Sequence, residues 1–179
     1  MKPTQITGRL WVLTTPEGAL YDDVDTDMIF HNRYLHITDV AEMGQYALDN
    51  LPGWEEFAQQ VRPGDVLMAG KNFGAGSSRQ QAVDCFQALD VGAIVAESFG
   101  AIYKRNAINS GLPILTFPNL TERWTAFETG DEVTVDFATG EIVLNGARTF
   151  HADPFARVQM EIYQAGDLFE YGSKFQVES

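Results

Sequence analysis

Only one cysteine, Cys85, occurs in the 179 residues, which excludes an intramolecular disulfide. It also excludes an all-cysteine zinc or iron–sulfur site built by this chain alone. Cytoplasm is the expected compartment for such a chain. Basic residues are scarce: 12 Lys+Arg stand against 25 Asp+Glu, a net charge of −13. That balance argues against wrapping nucleic acid or lying on an anionic membrane. Long apolar runs are missing too, so no transmembrane helix is expected. The opening Met1-Lys2-Pro3-Thr4 leads into a mixed segment, not an apolar signal region. Histidine is limited to His31, His36 and His151, with no HExxH spacing, and no metal site is assigned. No repeat, low-complexity tract or long linker divides the chain. A single domain over residues 1–179 is expected, large enough to bury about 70% of its unfolded surface without a staple.

What remains is an alternation of short apolar runs and helical patterns. Residues 6–13 alternate as a strand, and 38–49 recur at helical spacing behind Thr38 or Asp39 as N-cap. Trp54 to Val61 reads as a short helix ended by Arg62-Pro63-Gly64-Asp65. Strands at 66–69, 93–96 and 112–115 alternate with helices at 79–90 and 99–109, the order of parallel strands with helical crossovers. The last third predicts strands at 132–137, 141–144 and 148–151, with Asn145-Gly146 as a hairpin turn. A final helix over 155–165 is expected, with Asp153-Pro154 as its start and Gly166 as its cap.

Two segments could carry chemistry. Gly70-Lys71-Asn72-Phe73-Gly74-Ala75-Gly76-Ser77-Ser78-Arg79 lies between a strand and a helix. Unpaired N–H groups at a helix start attract anions, Gly74 and Gly76 allow close backbone approach, and Arg79 offers a fork for a carboxylate. The plainer alternative is a turn in which Ser77 or Ser78 caps the helix. The Walker ending and the third dinucleotide glycine are both missing. The charge distribution agrees with an anion site, because residues 71–105 are net +1 while both flanks are acidic. Asp25-Thr26-Asp27 is the second segment. Its carboxylates could bind a metal, fix an arginine or hydrogen-bond a hydroxyl, or merely form an Asx turn. Cys85, beside Phe86 on an apolar helix face, reads as a small buried hydrophobe.

Taken together, Asp25-Thr26-Asp27-Met28-Ile29, Arg33-Tyr34-Leu35, Lys71 to Arg79, Ala96-Glu97-Ser98-Phe99, Arg105 to Asn109 and Gly111-Leu112-Pro113 form a recognisable series. The chain resembles the small-subunit family of 3-isopropylmalate dehydratase, among the aconitase-type hydro-lyases, over about residues 5–165. The resemblance implies an α/β fold: a three-layer β/β/α swivel domain with a partly open β-barrel. It implies a large-subunit partner that carries a four-iron four-sulfur cluster, which acts as Lewis acid on a leaving hydroxyl. It implies a small di- or tricarboxylate substrate that is dehydrated and rehydrated at the neighbouring carbon. On the family pattern Ser77 is the base and Asp27 the second catalytic residue. Gly76, Ser78 and Arg79 would hold substrate carboxylate. Tyr34, Leu35, His36 and Ile37 fall where relatives sort substrates.

Several residues depart from the family pattern. Gln80-Gln81 replaces Glu-His, Ala75 stands where many relatives have cysteine, and Phe30-His31 replaces Ile-Pro. His36 is neither the arginine that suits homoaconitate-type substrates nor the apolar residue that suits isopropylmalate. Three readings follow: an isopropylmalate hydro-lyase subunit in leucine biosynthesis, a subunit acting on homoaconitate or another alkylmalate, or a carboxylate-binding regulatory module without catalysis.

Overall fold

Val66–Ala69 and Ala93–Ala96 contain no polar residue, so both faces of each strand must be covered. A computed structural model describes residues 1–176; the last three residues of the expected 1–179 domain lie outside it. In chain order the elements are β1 (Gln5–Val12), α1 (Thr26–Ile29), α2 (Val40–Met43), α3 (Phe57–Gln60), β2 (Val66–Ala69), α4 (Gln81–Ala88), β3 (Ala93–Ala96), α5 (Ala101–Asn109) and β4 (Ile114–Thr116). There follow β5 (Glu132–Asp136), β6 (Glu141–Leu144), β7 (Arg148–His151), α6 (Arg157–Ala165) and α7 (Leu168–Ser173). The strands form one sheet in the order β4-β3-β2-β1-β5-β6-β7.

β1 joins two halves of different character. Leu10–Val12 pairs in parallel with Val66–Met68, while Gln5–Arg9 pairs antiparallel with Glu132–Asp136. β2, β3 and β4 continue the parallel half, and β5, β6 and β7 form the antiparallel meander. Successive side chains of a strand point to opposite faces. Leu67, Ala69, Ile94 and Ala96 therefore pack with Val83 and Phe86 of α4 and Tyr103 and Ala107 of α5. Val66, Met68 and Val95 share the opposite core with Val135, Ile142 and Phe150 of the meander, because the sheet curls over itself into a half-barrel. The β/β/α layering expected from the resemblance is thus present.

Several expected elements are shorter or differently capped. The helix expected over 38–49 is only α2 and a 3₁₀ turn over Gly44–Tyr46; Asp39 caps it as expected, but the run ends where Ala47 turns extended (ψ 125°), followed by Leu48 in the left-handed region (φ 62°). Asp153-Pro154 does not start α6. The Asp153 N–H donates to the Thr116 carbonyl (2.8 Å) and that of Phe155 to Phe137 (2.8 Å), holding the segment extended until Ala156 caps the helix. Gly166 does close α6, at φ 115°. α7 was not expected, although Asp167 three residues before Glu170 is a capping pattern, and its carboxylate accepts the Glu170 N–H at 2.8 Å.

One buried charge ties the β1–β2 pair. Asp65 is 3% exposed, and its Oδ2 accepts from Trp11 Nε1 (2.8 Å), the Arg62 N–H (2.9 Å) and Arg9 Nη2 (3.0 Å). Asp65→Ala strands the buried Trp11 indole N–H, a part-buried backbone N–H at Arg62 and a part-buried guanidinium. Urea unfolding of the variant is expected to show a loss of about 3 kcal/mol; a loss below about 1 kcal/mol would contradict this role.

Candidate functional site

The loops that follow β1, β2 and β3 meet at the C-terminal ends of the parallel strands, where open α/β sheets place ligands. The first two are zipped together. Lys71 and Ala75 carbonyls accept the Asp23 (2.8 Å) and Thr26 (2.9 Å) N–H groups, and the Gly74 N–H donates to Val24 (2.7 Å). The third joins through Phe73, whose N–H donates to Ser98 (3.0 Å) and whose carbonyl accepts from Gly100 (2.9 Å). Gly74 sits at φ 82° with the Tyr103 ring where a Cβ would lie, so both conformation and space require glycine there. This zipper brings the Asp25–Asp27 segment to the glycine loop, two motifs about fifty residues apart in sequence.

The two aspartates have different fates. Asp25 caps α1, accepting the Met28 N–H at 2.8 Å, which is the plain Asx reading. Asp27 instead accepts from Arg79 Nη1 (3.2 Å) and the Asn32 N–H (2.9 Å), with Asn50 Nδ2 at 3.4 Å from its second oxygen. Partial burial pushes the Asp27 carboxyl upward. The Asn32 and Arg79 hydrogen bonds, with the nearby His31 and Arg79 charges, outweigh that and hold it below its usual range. Arg79 also donates Nη1 to the Phe30 carbonyl (2.8 Å), and its side chain is only 12% exposed. Nε and Nη2 make no hydrogen bond among the described residues, so one edge of the fork is open to a carboxylate.

Neither serine caps α4. The cap position is Gln80, which makes no side-chain capping bond. Ser77 is exposed and its hydroxyl has no partner among the described residues, while Ser78 Oγ accepts from Asn106 Nδ2 of α5 at 3.3 Å. The backbone N–H groups from Gly76 to Gln81 find no acceptor among the described residues. They leave a row of donors at the start of α4 with a free hydroxyl and an arginine fork beside it, a cradle for an anion. Gln80 faces away from it: its Nε2 donates to Ser110 Oγ (2.8 Å) and Asp84 (3.1 Å), tying α4 to the end of α5.

Within Tyr34–Ile37 the four side chains diverge. Leu35 and His36 are exposed, Ile37 is packed into the core, and the Tyr34 hydroxyl donates to Asp49 at 2.6 Å. Asn50, which contacts Asp27, carried no sequence signal beyond a polar residue in a turn, whereas Asn106, which contacts Ser78, lies in the Arg105–Asn109 stretch of the resemblance without a role assigned to it. Cys85 lies fully buried on the core face of α4, and burial pushes its thiol well above the ordinary range. No group of three or more His, Cys, Asp or Glu able to hold a metal occurs among the described residues, and no described helix is long and apolar enough to cross a membrane.

Comparison with known proteins agrees with this geometry. Residues 23–120, which contain both motifs, match the model of the aconitase C-terminal domain. The 3-isopropylmalate dehydratase small subunit of Caldicellulosiruptor saccharolyticus is 43% identical over 152 residues, covering 84% of this chain and 85% of that protein. That of Saccharolobus islandicus is 41% identical over 165 residues, covering 92% and 96%. The crystal structure of 3-isopropylmalate dehydratase from Methanocaldococcus jannaschii superposes with a TM-score of 0.84 at 35% identity, over 97% of this chain and 96% of that one. With both motifs, the half-barrel fold and near full-length relatives in agreement, the chain belongs to the aconitase C-terminal domain family, within its 3-isopropylmalate dehydratase small-subunit branch.

Proposed function

We propose that this chain is the small subunit of a two-chain cytoplasmic hydro-lyase that interconverts 2-isopropylmalate and 3-isopropylmalate in leucine biosynthesis. The observation that carries the reading is the unpartnered Ser77 hydroxyl, set beside the open N–H row and the Asp27–Arg79 pair. In this reading Ser77 is the base. Its alkoxide takes the carbon-bound proton, becoming a neutral hydroxyl, while the C–O bond at the neighbouring carbon breaks; the departing hydroxide takes one proton from solvent to leave as water, and Ser77 returns its own proton to solvent. An ordinary serine hydroxyl is a poor base at neutral pH, and the backbone dipoles at the start of α4 favour its anionic form. The open edge of Arg79, with the Gly76 and Ser78 N–H groups, holds a substrate carboxylate. Asp27 stays ionised and holds Arg79 in place.

The sole thiol of this chain, buried in the core, does not fit a cluster ligand. The four-iron four-sulfur cluster implied by the family belongs in this reading to the large subunit, where it supplies Lewis-acid help to the leaving hydroxyl. A second reading, another alkylmalate as substrate, is favoured by the exposed His36 in the sorting segment. The non-catalytic reading rested on Gln80-Gln81, and the bonds of Gln80 to Ser110 and Asp84, which tie α4 to α5 away from the cradle, support the catalytic reading instead.

The test is a substrate panel on the assembled enzyme: 3-isopropylmalate, citramalate, dimethylmalate and homoaconitate. The highest kcat/KM is expected for 3-isopropylmalate. A preference for another member would replace this substrate and keep the reaction class.

A further inference from the structure

We propose that Asp49 and Asn50, adjacent on the turn after α2, are positioning residues that couple the Tyr34–Ile37 segment to the Asp27–Arg79 pair. The inference rests on the function proposed above and deepens it.

The turn is held under strain. Leu48 is fully buried yet left-handed at φ 62°, a conformation unfavourable for a branched side chain, and its N–H donates to the Ile29 carbonyl at 2.9 Å. That bond fastens the turn to the end of α1, the helix that carries Asp27. From the turn, two arms reach out. Asn50 Nδ2 donates to the Asp27 carbonyl at 3.1 Å and lies 3.4 Å from its carboxylate Oδ2. Asp49 Oδ2 accepts the Tyr34 hydroxyl at 2.6 Å, a short charge-assisted bond. The Tyr34 ring is fixed further by stacking on Tyr46, with centroids 4.0 Å apart and planes 17° from parallel.

Two details favour a positioning role over simple packing. Asp49 Oδ1 is buried with no hydrogen-bond partner among the described residues, an arrangement that disfavours folding and calls for an explanation. The hydrogen bond to Asp49, more than burial, raises the Tyr34 phenol above its usual range, so the proton stays on Tyr34 and stays committed to Asp49. Tyr34 therefore offers a substrate no free hydroxyl. It acts by fixing the backbone that presents Leu35 and His36, the exposed members of the segment. Because Asp49 and Asn50 are consecutive, a shift of the Tyr34 ring is transmitted to Asp27 and to the arginine that Asp27 holds.

The experiment uses the enzyme assembled from this chain and a cluster-bearing large subunit, assayed with 3-isopropylmalate and citramalate. Asp49→Ala is expected to raise KM for 3-isopropylmalate about tenfold while kcat falls no more than about threefold, and to reduce the preference between the two substrates. Tyr34→Phe should do the same. The double variant should be no worse than Asp49→Ala, since both changes remove one bond. Asp49→Asn, which keeps an acceptor, should return KM to within about threefold of wild type. Asn50→Ala should raise KM about tenfold on both substrates, since it acts through Asp27 on the arginine that holds the carboxylate. Equal effects on both substrates in Asp49→Ala, or additive losses in the double variant, would overturn the inference while leaving the function reading intact. An assembled wild type inactive on every malate would overturn both.

Discussion

Ser77→Ala is expected to lower kcat of the assembled enzyme about a thousandfold, near 4 kcal/mol of barrier, with KM within about twofold of wild type. The size follows from what the side chain does and does not touch. Its hydroxyl has no partner among the described residues, so removing it breaks nothing in the fold. The N–H groups from Gly76 to Gln81 belong to the backbone and survive the change. In the proposed site the substrate carboxylate keeps its arginine and its donors, so binding should be spared while proton removal fails. Thermal unfolding of the variant should match wild type to within about 1 °C. A stable variant that retains more than a tenth of kcat would remove Ser77 from the role of base, and one that binds substrate a hundredfold more weakly would recast it as a binding group.

Arg79→Ala should be as severe but distributed differently, with kcat/KM down about a thousandfold and most of the loss in KM. Arg79 is nearly buried and uses one nitrogen on Asp27 and the Phe30 carbonyl, so its loss strips the substrate of its fork and leaves Asp27 without its cation. Arg79→Lys restores charge without the planar fork and should still lie about a hundredfold below wild type. A pH profile separates the two contributions. In the native fold Asp27 is held below the usual carboxylate range despite partial burial, so it remains ionised as pH falls past ordinary carboxylate values. Activity that requires the ionised form is lost only when pH falls through that lowered pKa. With lysine in place of Arg79 the fork's hydrogen bond to Asp27 is weakened and its pKa rises while a cation remains for it to hold, and the acid limb of kcat/KM should move to higher pH. A limb that stays in place would mean that Asp27 does not control it.

How much of this was legible in the sequence depended on how far apart the deciding atoms lie. Val66–Ala69 and Ala93–Ala96 announced a doubly covered sheet because their apolar character is continuous. The glycine loop and Asp27 were legible as residue types in a known order, and that order proved spatial through the zipper at Val24, Thr26, Gly74 and Ala75. Helical spacing over 38–49 misled because it ignores backbone strain. Ala47 and Leu48 fit the apolar pattern, yet Ala47 is extended and Leu48 left-handed, its N–H bonded to Ile29, and the run stops there. Asp153-Pro154 misled for a similar reason: contacts with Thr116 and Phe137, remote in sequence, keep it extended. Asp25 and Asp27 were indistinguishable as letters, and only the partners of each carboxylate separate the cap from the site residue. Asn50 acts on Asp27 across 23 residues, a relation that no local pattern encodes.

The central claim is that this chain completes a hydro-lyase site that neither subunit holds alone. It is tested most directly by titrating the chain into a fixed amount of cluster-loaded large subunit with 3-isopropylmalate present, following the absorbance of the alkene diacid. Each chain alone should give no turnover, and the rate should rise in proportion to the added chain and saturate once every large subunit is paired. Turnover by the large subunit alone, or a mixture inert toward every malate in the panel, would contradict the account.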